Sequence, residues 1–382
     1  MRSAWARIDL GGLRHNMARV KQLAPHSRIL GIVKANAYGH GLVEIARALT
    51  EHDSVAALGL ARINEALRLR QAGISCPIVL LEGFFDAHEL PLLAASQLQP
   101  VIHTEQQLQM LERASGLSAP LKVWLKVDSG MHRLGIAPQQ LAAFQQRLRA
   151  CDNVAGEPIL MSHMACADER DHAQNTHQQA VIASIRALTP PSSLASFANS
   201  ATLIQFPELQ AEWVRPGLML YGASPVAEKS AAELDLKPVM TLCASVIATR
   251  DIKAGEAVGY GAHWVSEQAT RLGVVAIGYG DGYPRHARTG TPVLINGKRY
   301  PIVGRVSMDM LTVDLGDDDI EAGATAVLWG LDRGLDTSRD ETSEHPDSRA
   351  VLHVEEVAAF ADTIAYELLC NIAQRVDYEY VE

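Results

Sequence analysis

The sequence predicts an α/β protein: a (β/α)8 TIM-type barrel with a second, mainly β C-terminal domain. Three observations carry this expectation. Short apolar runs alternate with helical patterns up to about residue 221, as in parallel βαβ units, where the chain must cross one face of a sheet to add a parallel neighbour. About eight such runs fall within roughly 220 residues, the count that closes a barrel. Beyond Pro225 the pattern becomes short β-rich runs punctuated by glycine, which suits antiparallel strands.

In chain order, residues 4–10 (AWARIDL) read as a short alternating strand that Gly11 and Gly12 interrupt. Leu13, Met17, Val20 and Leu23 then carry a helix closed by Pro25. Strands are expected at 29–33, 55–58 and 77–81, with helices at 42–49, 63–71 and 87–95 after them. The alternation continues with strands at 99–103, 122–127 and 158–162, and helices at 104–114, 138–149 and 170–188. Runs 194–197 and 217–221 read as the last two strands. The barrel domain is therefore expected over 11–235 and the β-rich domain over 236–382, with strands at 240–247, 271–277, 291–295, 300–303, 311–314 and 324–328. Segment 331–349, LDRGLDTSRDETSEHPDSR, has almost no apolar content and reads as an exposed loop or a disordered insert. A helical pattern resumes with Val354, Val357, Ala358 and Ile364 and ends near Leu369.

The bulk numbers restrict function. The 382 residues, 48% of them apolar, are enough for a large core, and the formal charge of -10 argues against a nucleic-acid or anionic-membrane partner. Five cysteines are scattered without a CxxC pair, which reads as reduced thiols in a cytoplasmic protein. The N-terminus lacks a signal-peptide apolar run, and no window reaches the roughly 18 apolar residues of a spanning helix. The 14 histidines show no HExxH or paired Cys/His spacing, so no metal is expected.

The most informative stretch is Ile29 to Gly41, ILGIVKANAYGHG, an apolar strand that ends in Lys34 and a glycine-rich aromatic turn. At the rim of an apolar interior an ammonium is costly to desolvate, which favours the neutral amine that attacks a carbonyl. A strand-terminal lysine whose stem covers apolar surface fits the chemistry equally well. The nine residues VKANAYGHG, however, closely resemble the cofactor-lysine motif of bacterial alanine racemases, barrel-type enzymes of fold III. The resemblance implies pyridoxal 5'-phosphate held as a Schiff base by Lys34, a phosphate contact from Tyr38, and a structural His40.

Further segments extend the resemblance over both domains. KVDSGMHRLG, Lys126 to Gly135, would alone read as a charged loop with an Asp128–Arg133 ion pair; the family match implies that Arg133 steers substrate carboxylate and that Lys126 is carbamylated to hold it. His132 stands where many members have glycine and receives no role. In MSHMACADE, His163 alone reads as a structural histidine, while the match places it in the hydrogen-bond network around the cofactor; Asp168 and Glu169 would start the next helix, and Cys166 would be an inert thiol. Ser200 of the ANSA segment is implied to bind phosphate, although Ser196 stands where many relatives have histidine. RPGLMLYG supplies Arg215 for the ring nitrogen, with Gly217 and Leu218 as backbone donors to the phosphate. An arginine there keeps the nitrogen largely unprotonated, a weaker electron sink that suits racemisation.

In the second domain Tyr260, Tyr279 and Met308 would alone be packing residues. The resemblance makes Tyr260 the second catalytic base, reaching the cofactor of a neighbouring subunit. It also makes Tyr279 a constriction on substrate access, the Met308 amide a carboxylate donor, and Tyr366 a phosphate ligand, and it joins residues 1–10 to the second domain. Gly280 replaces the alanine of many relatives. The function implied is racemisation of L-alanine and D-alanine by two bases on opposite faces of Cα, in a homodimer with shared active sites. The alternatives are a broad-specificity amino-acid racemase, a non-catalytic pyridoxal-phosphate-binding protein, and, disfavoured by Arg215, a decarboxylase.

Overall fold

The computed structural model describes residues 1–51, 54–332 and 350–382. Most of the polar insert expected at 331–349 therefore lies outside the described residues. The chain divides into two compact units, one of residues 14–220 and 224–236, the other of residues 1–13, 221–223 and 237–382.

In the first unit, eight parallel strands close into a barrel: Arg28–Ile32, Ala57–Leu60, Ile78–Leu80, Leu98–Ile102, Trp124–Lys126, Ile159–Met161, Ala195–Asn199 and Trp213–Arg215. The last of them pairs with the first, Arg28 opposite Trp213. Their cores are apolar because a parallel strand covered by helices is buried on both faces. Trp124 is fully buried; its ring meets that of Trp213 edge-on at 5.3 Å, and its Nε1 donates to Gln99 Oε1 at 3.0 Å.

Two expectations for this unit need correction. Run 217–221 is not a strand: the chain leaves the barrel after Arg215, and Leu218–Tyr221 is a 3-10 turn. An apolar run that is buried by coiling cannot be told from a buried strand by composition. The helix expected from 170 begins at Ala173, where His172 is the N-cap and its side chain accepts from the Gln174 N–H, so Asp168 and Glu169 precede it in a loop.

The second unit contains a nine-stranded sheet with the order Lys298–Pro301, Pro292–Ile295, Thr325–Leu331, Met240–Ile252, Trp5–Asp9, Asp377–Val381 along its main path. Thr270–Val275 pairs with Met240–Ile252 and with Leu311–Gly316. The pairings are antiparallel except the last on the path, where Trp5–Asp9 runs parallel to Asp377–Val381. The sequence reading missed Asp377–Val381. The helical stretch after 353 is two helices, Val354–Phe360 and Ala365–Cys370. Among the described residues, no helix is long and apolar enough to cross a membrane.

Candidate active site

The C-terminal rim of the barrel gathers the candidate residues one strand at a time, the end at which parallel barrels place their chemistry. Lys34 follows the first barrel strand and opens an unusual turn. Ala35, Asn36, Ala37 and Tyr38 all have φ of 50–54°, a left-handed run that side chains other than glycine adopt only under constraint. Here the sequence reading placed the special backbone at Gly39 and Gly41, which do have positive φ, but the left-handed run begins four residues earlier. Side chains hold it in place. Glu65 accepts from the Asn36 N–H, Asn36 Oδ1 accepts from the Leu42 N–H, and the His40 ring meets the Tyr38 carbonyl at 2.8 Å. Burial pushes His40 down to about 4, so the ring is neutral and its Nδ1–H donates.

The turn lays Tyr38 against Gly217. A Cβ at Gly217 would stand 2.6 Å from the Tyr38 hydroxyl, so only glycine fits without moving the ring. The Gly217 N–H donates to Ser200 Oγ at 2.8 Å, which ties the ends of the last two barrel strands together and engages the amide assigned to phosphate. Tyr38, Ser200 and Gly217 thus form one cluster, with buried Leu218 the next residue along.

Arg215 is buried and bonded to neutral acceptors. Its Nη1 donates to the Ser196 carbonyl and to Ser196 Oγ, both at 2.7 Å, and Nη2 to the Ser162 carbonyl at 2.6 Å. Nη2 also lies 3.2 Å from His163 Nδ1. A guanidinium only donates, so His163 Nδ1 is the acceptor and the ring is neutral. Burial, followed by the charges of Arg215, Lys126, Arg133 and Lys34, holds His163 well below the ordinary imidazole range. Ser196 therefore contacts the arginine directly, as a hydroxyl acceptor. These bonds occupy both terminal nitrogens and leave the Nε–H as the remaining donor. Desolvation pushes Arg215 down to about 10.

Lys126 ends its strand and is 8% exposed; burial, then repulsion from Arg215, Arg133 and Lys34, pushes it down to about 8. Arg133 lies on the exposed loop that follows. The ion pair suggested for this loop is different from expectation: Asp128 engages His132, whose Nδ1 is 2.9 Å from its carboxylate, and accepts from the Gly130 and His132 N–H groups. His132 is thus the loop's clasp, made possible by its own positive φ. Gln178, on helix Ala173–Ala187, was also missed. It is fully buried and donates to Ser129 Oγ and to the His163 carbonyl, bracing two strand ends. Cys166 is held up by burial and by Asp168 and Glu169, so it remains a thiol.

Lys34, Lys126, Arg133 and Arg215 share one electrostatic field, and among the described residues none has a carboxylate within ion-pair distance. Four clustered cations repel one another, and at Lys126 the Asp128 carboxylate offsets less than any one of the other three cations adds, so this rim is built for an anion. The residues present fit pyridoxal 5'-phosphate on three counts: an amine at Lys34, excess positive charge for a phosphate, and an Arg215 Nε–H available to a ring nitrogen. Among the described residues no group of three or more His, Cys, Asp or Glu could hold a metal ion.

The remaining candidates lie in the second unit. Tyr260, 71% exposed, stands between the two strands of the small ribbon Ala257–Val258 and Trp264–Val265. Tyr279 and Met308 come together on adjoining loops: the Tyr279 N–H donates to the Ser307 carbonyl at 3.0 Å, and the Gly280 N–H to the Met308 carbonyl at 2.8 Å. Tyr366 is partly exposed on helix Ala365–Cys370.

Residues 8–225 match the family model described as "Alanine racemase, N-terminal domain", and residues 239–380 match "Alanine racemase, C-terminal domain". The chain belongs to the alanine racemase family. It is 50% identical to the alanine racemases of Vibrio vulnificus, over 384 residues and all of both chains, and of Vibrio cholerae, over 381 residues, all of this chain and 99% of the other. Among solved structures, the biosynthetic alanine racemase of Pseudomonas aeruginosa superposes with a TM-score of 0.90 at 44% identity, and that of Acinetobacter baumannii with 0.89 at 39%; each comparison covers all of both chains. The C-terminal match excludes a cofactor carrier that resembles the barrel alone. Like its alanine racemase relatives, this chain is an isomerase that depends on pyridoxal phosphate.

Proposed function

We propose that this enzyme interconverts L-alanine and D-alanine with two bases, Lys34 on one face of Cα and Tyr260 of a second copy on the other. The observation that carries the reading is the cationic rim around Lys34, in which, among the described residues, no member has a carboxylate within ion-pair distance. Bound pyridoxal phosphate supplies the conjugated electron sink that acidifies the Cα proton. Lys34 Nζ holds the cofactor and then exchanges a proton with Cα; the Tyr260 hydroxyl exchanges one on the opposite face. Arg215 donates its Nε–H toward the ring nitrogen. With an arginine rather than an acid facing it, that nitrogen would stay largely unprotonated, a weaker electron sink that would favour return of a proton over side reactions.

Tyr38, Ser200, Gly217, Leu218 and Tyr366 hold the phosphate, and the neutral His163 buttresses Arg215. Arg133 and the Met308 amide receive the substrate carboxylate, and Tyr279 narrows access to the site. Lys126, whose lowered basicity supplies a neutral amine near neutral pH, adds CO2 through its Nζ and releases one N–H proton to solvent, and the resulting carbamate anion holds Arg133. The working assembly is a homodimer with shared sites, and the scattered free thiols suit a reducing cytoplasm. The test is Lys34→Ala: visible cofactor absorbance and racemisation both disappear. A lysine-free protein that kept both would contradict the reading, and a panel of alanine, serine, lysine and arginine measures its side-chain range.

A further inference from the structure

Three loops of the second unit meet at Gly280. The Ser307 carbonyl accepts from the Tyr279 N–H, and the Met308 carbonyl accepts from the Gly280 N–H. Because peptide units are planar and trans, fixing the Ser307 carbonyl also fixes the direction of the Met308 N–H on the other side of the same unit. The next peptide unit, which carries the Met308 carbonyl, has a second donor. Arg375 Nη2 lies 3.4 Å from that carbonyl and 2.8 Å from Asp309 Oδ1. Arg375 Nε is 2.7 Å from Asp281 Oδ1, while Asp281 Oδ2 accepts from the Gly278 N–H at 2.8 Å. The Asp281 side chain is 9% exposed, so this anchor is fixed where the guanidinium itself faces solvent. The Ala373 N–H donates to the Asp281 carbonyl, which brings the chain carrying Arg375 into the same lattice.

Gly280 is the space that makes this possible. A Cβ there would stand 2.6 Å from Arg375 Nη2, 3.0 Å from its Cζ and 3.1 Å from the Met308 carbonyl oxygen. A side chain at 280 and the guanidinium in this position exclude each other.

We propose that Arg375 is a positioning residue for substrate binding: it clamps the Met308–Asp309 turn so that the Met308 N–H is presented to the substrate carboxylate, and Gly280 is the room kept for it. The inference rests on the reading of the Met308 amide as a carboxylate donor. It makes Arg375 and Gly280 one unit, so perturbing either has the same effect and perturbing both adds little.

The experiment uses the holoenzyme, with alanine as substrate and propionate as a carboxylate probe without an amine. Arg375→Ala is expected to raise the alanine KM and the propionate Kd together by about tenfold, the loss that follows from one charge-assisted contact, with kcat within about twofold. Arg375→Lys recovers part of the loss, Gly280→Ala reproduces it, and Gly280→Ala adds nothing in the Arg375→Ala background. Hydrogen exchange at Met308, followed in methionine-labelled holoenzyme, separates the inference from the reading beneath it. If propionate protects that amide but Arg375→Ala leaves KM and Kd within about twofold, the positioning role is overturned and the carboxylate reading stands. If propionate gives no protection in the unaltered enzyme, both fall. A fall in Tm with unchanged KM makes Arg375 a structural tie only and overturns the proposal.

Discussion

Gly217→Ala is the sharpest probe of the proposed phosphate cluster. The added methyl carbon would sit 2.6 Å from the Tyr38 hydroxyl and 3.3 Å from Tyr38 Cζ, whereas ordinary contact begins at 3.4 Å. The hydroxyl must therefore retreat by about 0.8 Å. Tyr38 is 6% exposed and its backbone is held in the left-handed turn, so the ring has little room to yield. Overpacking of this kind costs about 1–3 kcal/mol. If Tyr38 is the phosphate contact, the displacement appears as a cofactor Kd raised by about 5- to 150-fold. The assay is titration of the cofactor-free protein with pyridoxal phosphate, followed by visible absorbance, with Tm measured in parallel. Tyr38→Phe removes the atom at 2.6 Å, so Gly217→Ala costs much less in that background. Unchanged Kd and Tm in Gly217→Ala, or an equal penalty with and without the tyrosine hydroxyl, would refute the packing argument.

Other outcomes follow from the buried titrating groups. His40, pushed down to about 4, and His163, held well below 6.5 by burial and the neighbouring cations, are neutral in the fold, so the unfolded chain binds more protons as pH falls below about 6.5 and stability drops. Urea midpoints of the cofactor-free protein between pH 7 and 4 should show a slope approaching about 1.4 kcal/mol per pH unit for each histidine, reduced in His40→Gln. A flat profile would contradict the neutral assignments. Labelled bicarbonate should give a carbamate carbon signal in the enzyme that is absent from Lys126→Ala; the same signal in both would remove Lys126 from that role.

Much of this was legible in the sequence, and the failures have physical causes. The alternation of apolar runs and helices gave the barrel, and VKANAYGHG gave the lysine, because both signals are local. The left-handed run from Ala35 was not legible: alanine has no preference for positive φ, and the turn is held by Glu65, nearly thirty residues away. Gln178 has no local signal within the helix expected over 170–188; folding alone places it between Ser129 and the His163 carbonyl. The Asp128–His132 clasp was within reach, since the residues are four apart, but an arginine beside them offered a more obvious partner. Strand Asp377–Val381 was short and terminal, and its one signal was the alternation of Tyr378 and Tyr380, whose rings stack at 6.3 Å.

The central claim is that Lys34 and Tyr260 act in one site but come from two chains. The most direct measurement mixes Lys34→Ala chains with Tyr260→Phe chains, each inactive alone, after dissociation and reassociation. In a mixed dimer one site carries both substitutions and the other carries neither, and random pairing makes half the dimers mixed, so racemisation should return to about a quarter of the unaltered rate. A mixture as inactive as its two parents would contradict the shared site.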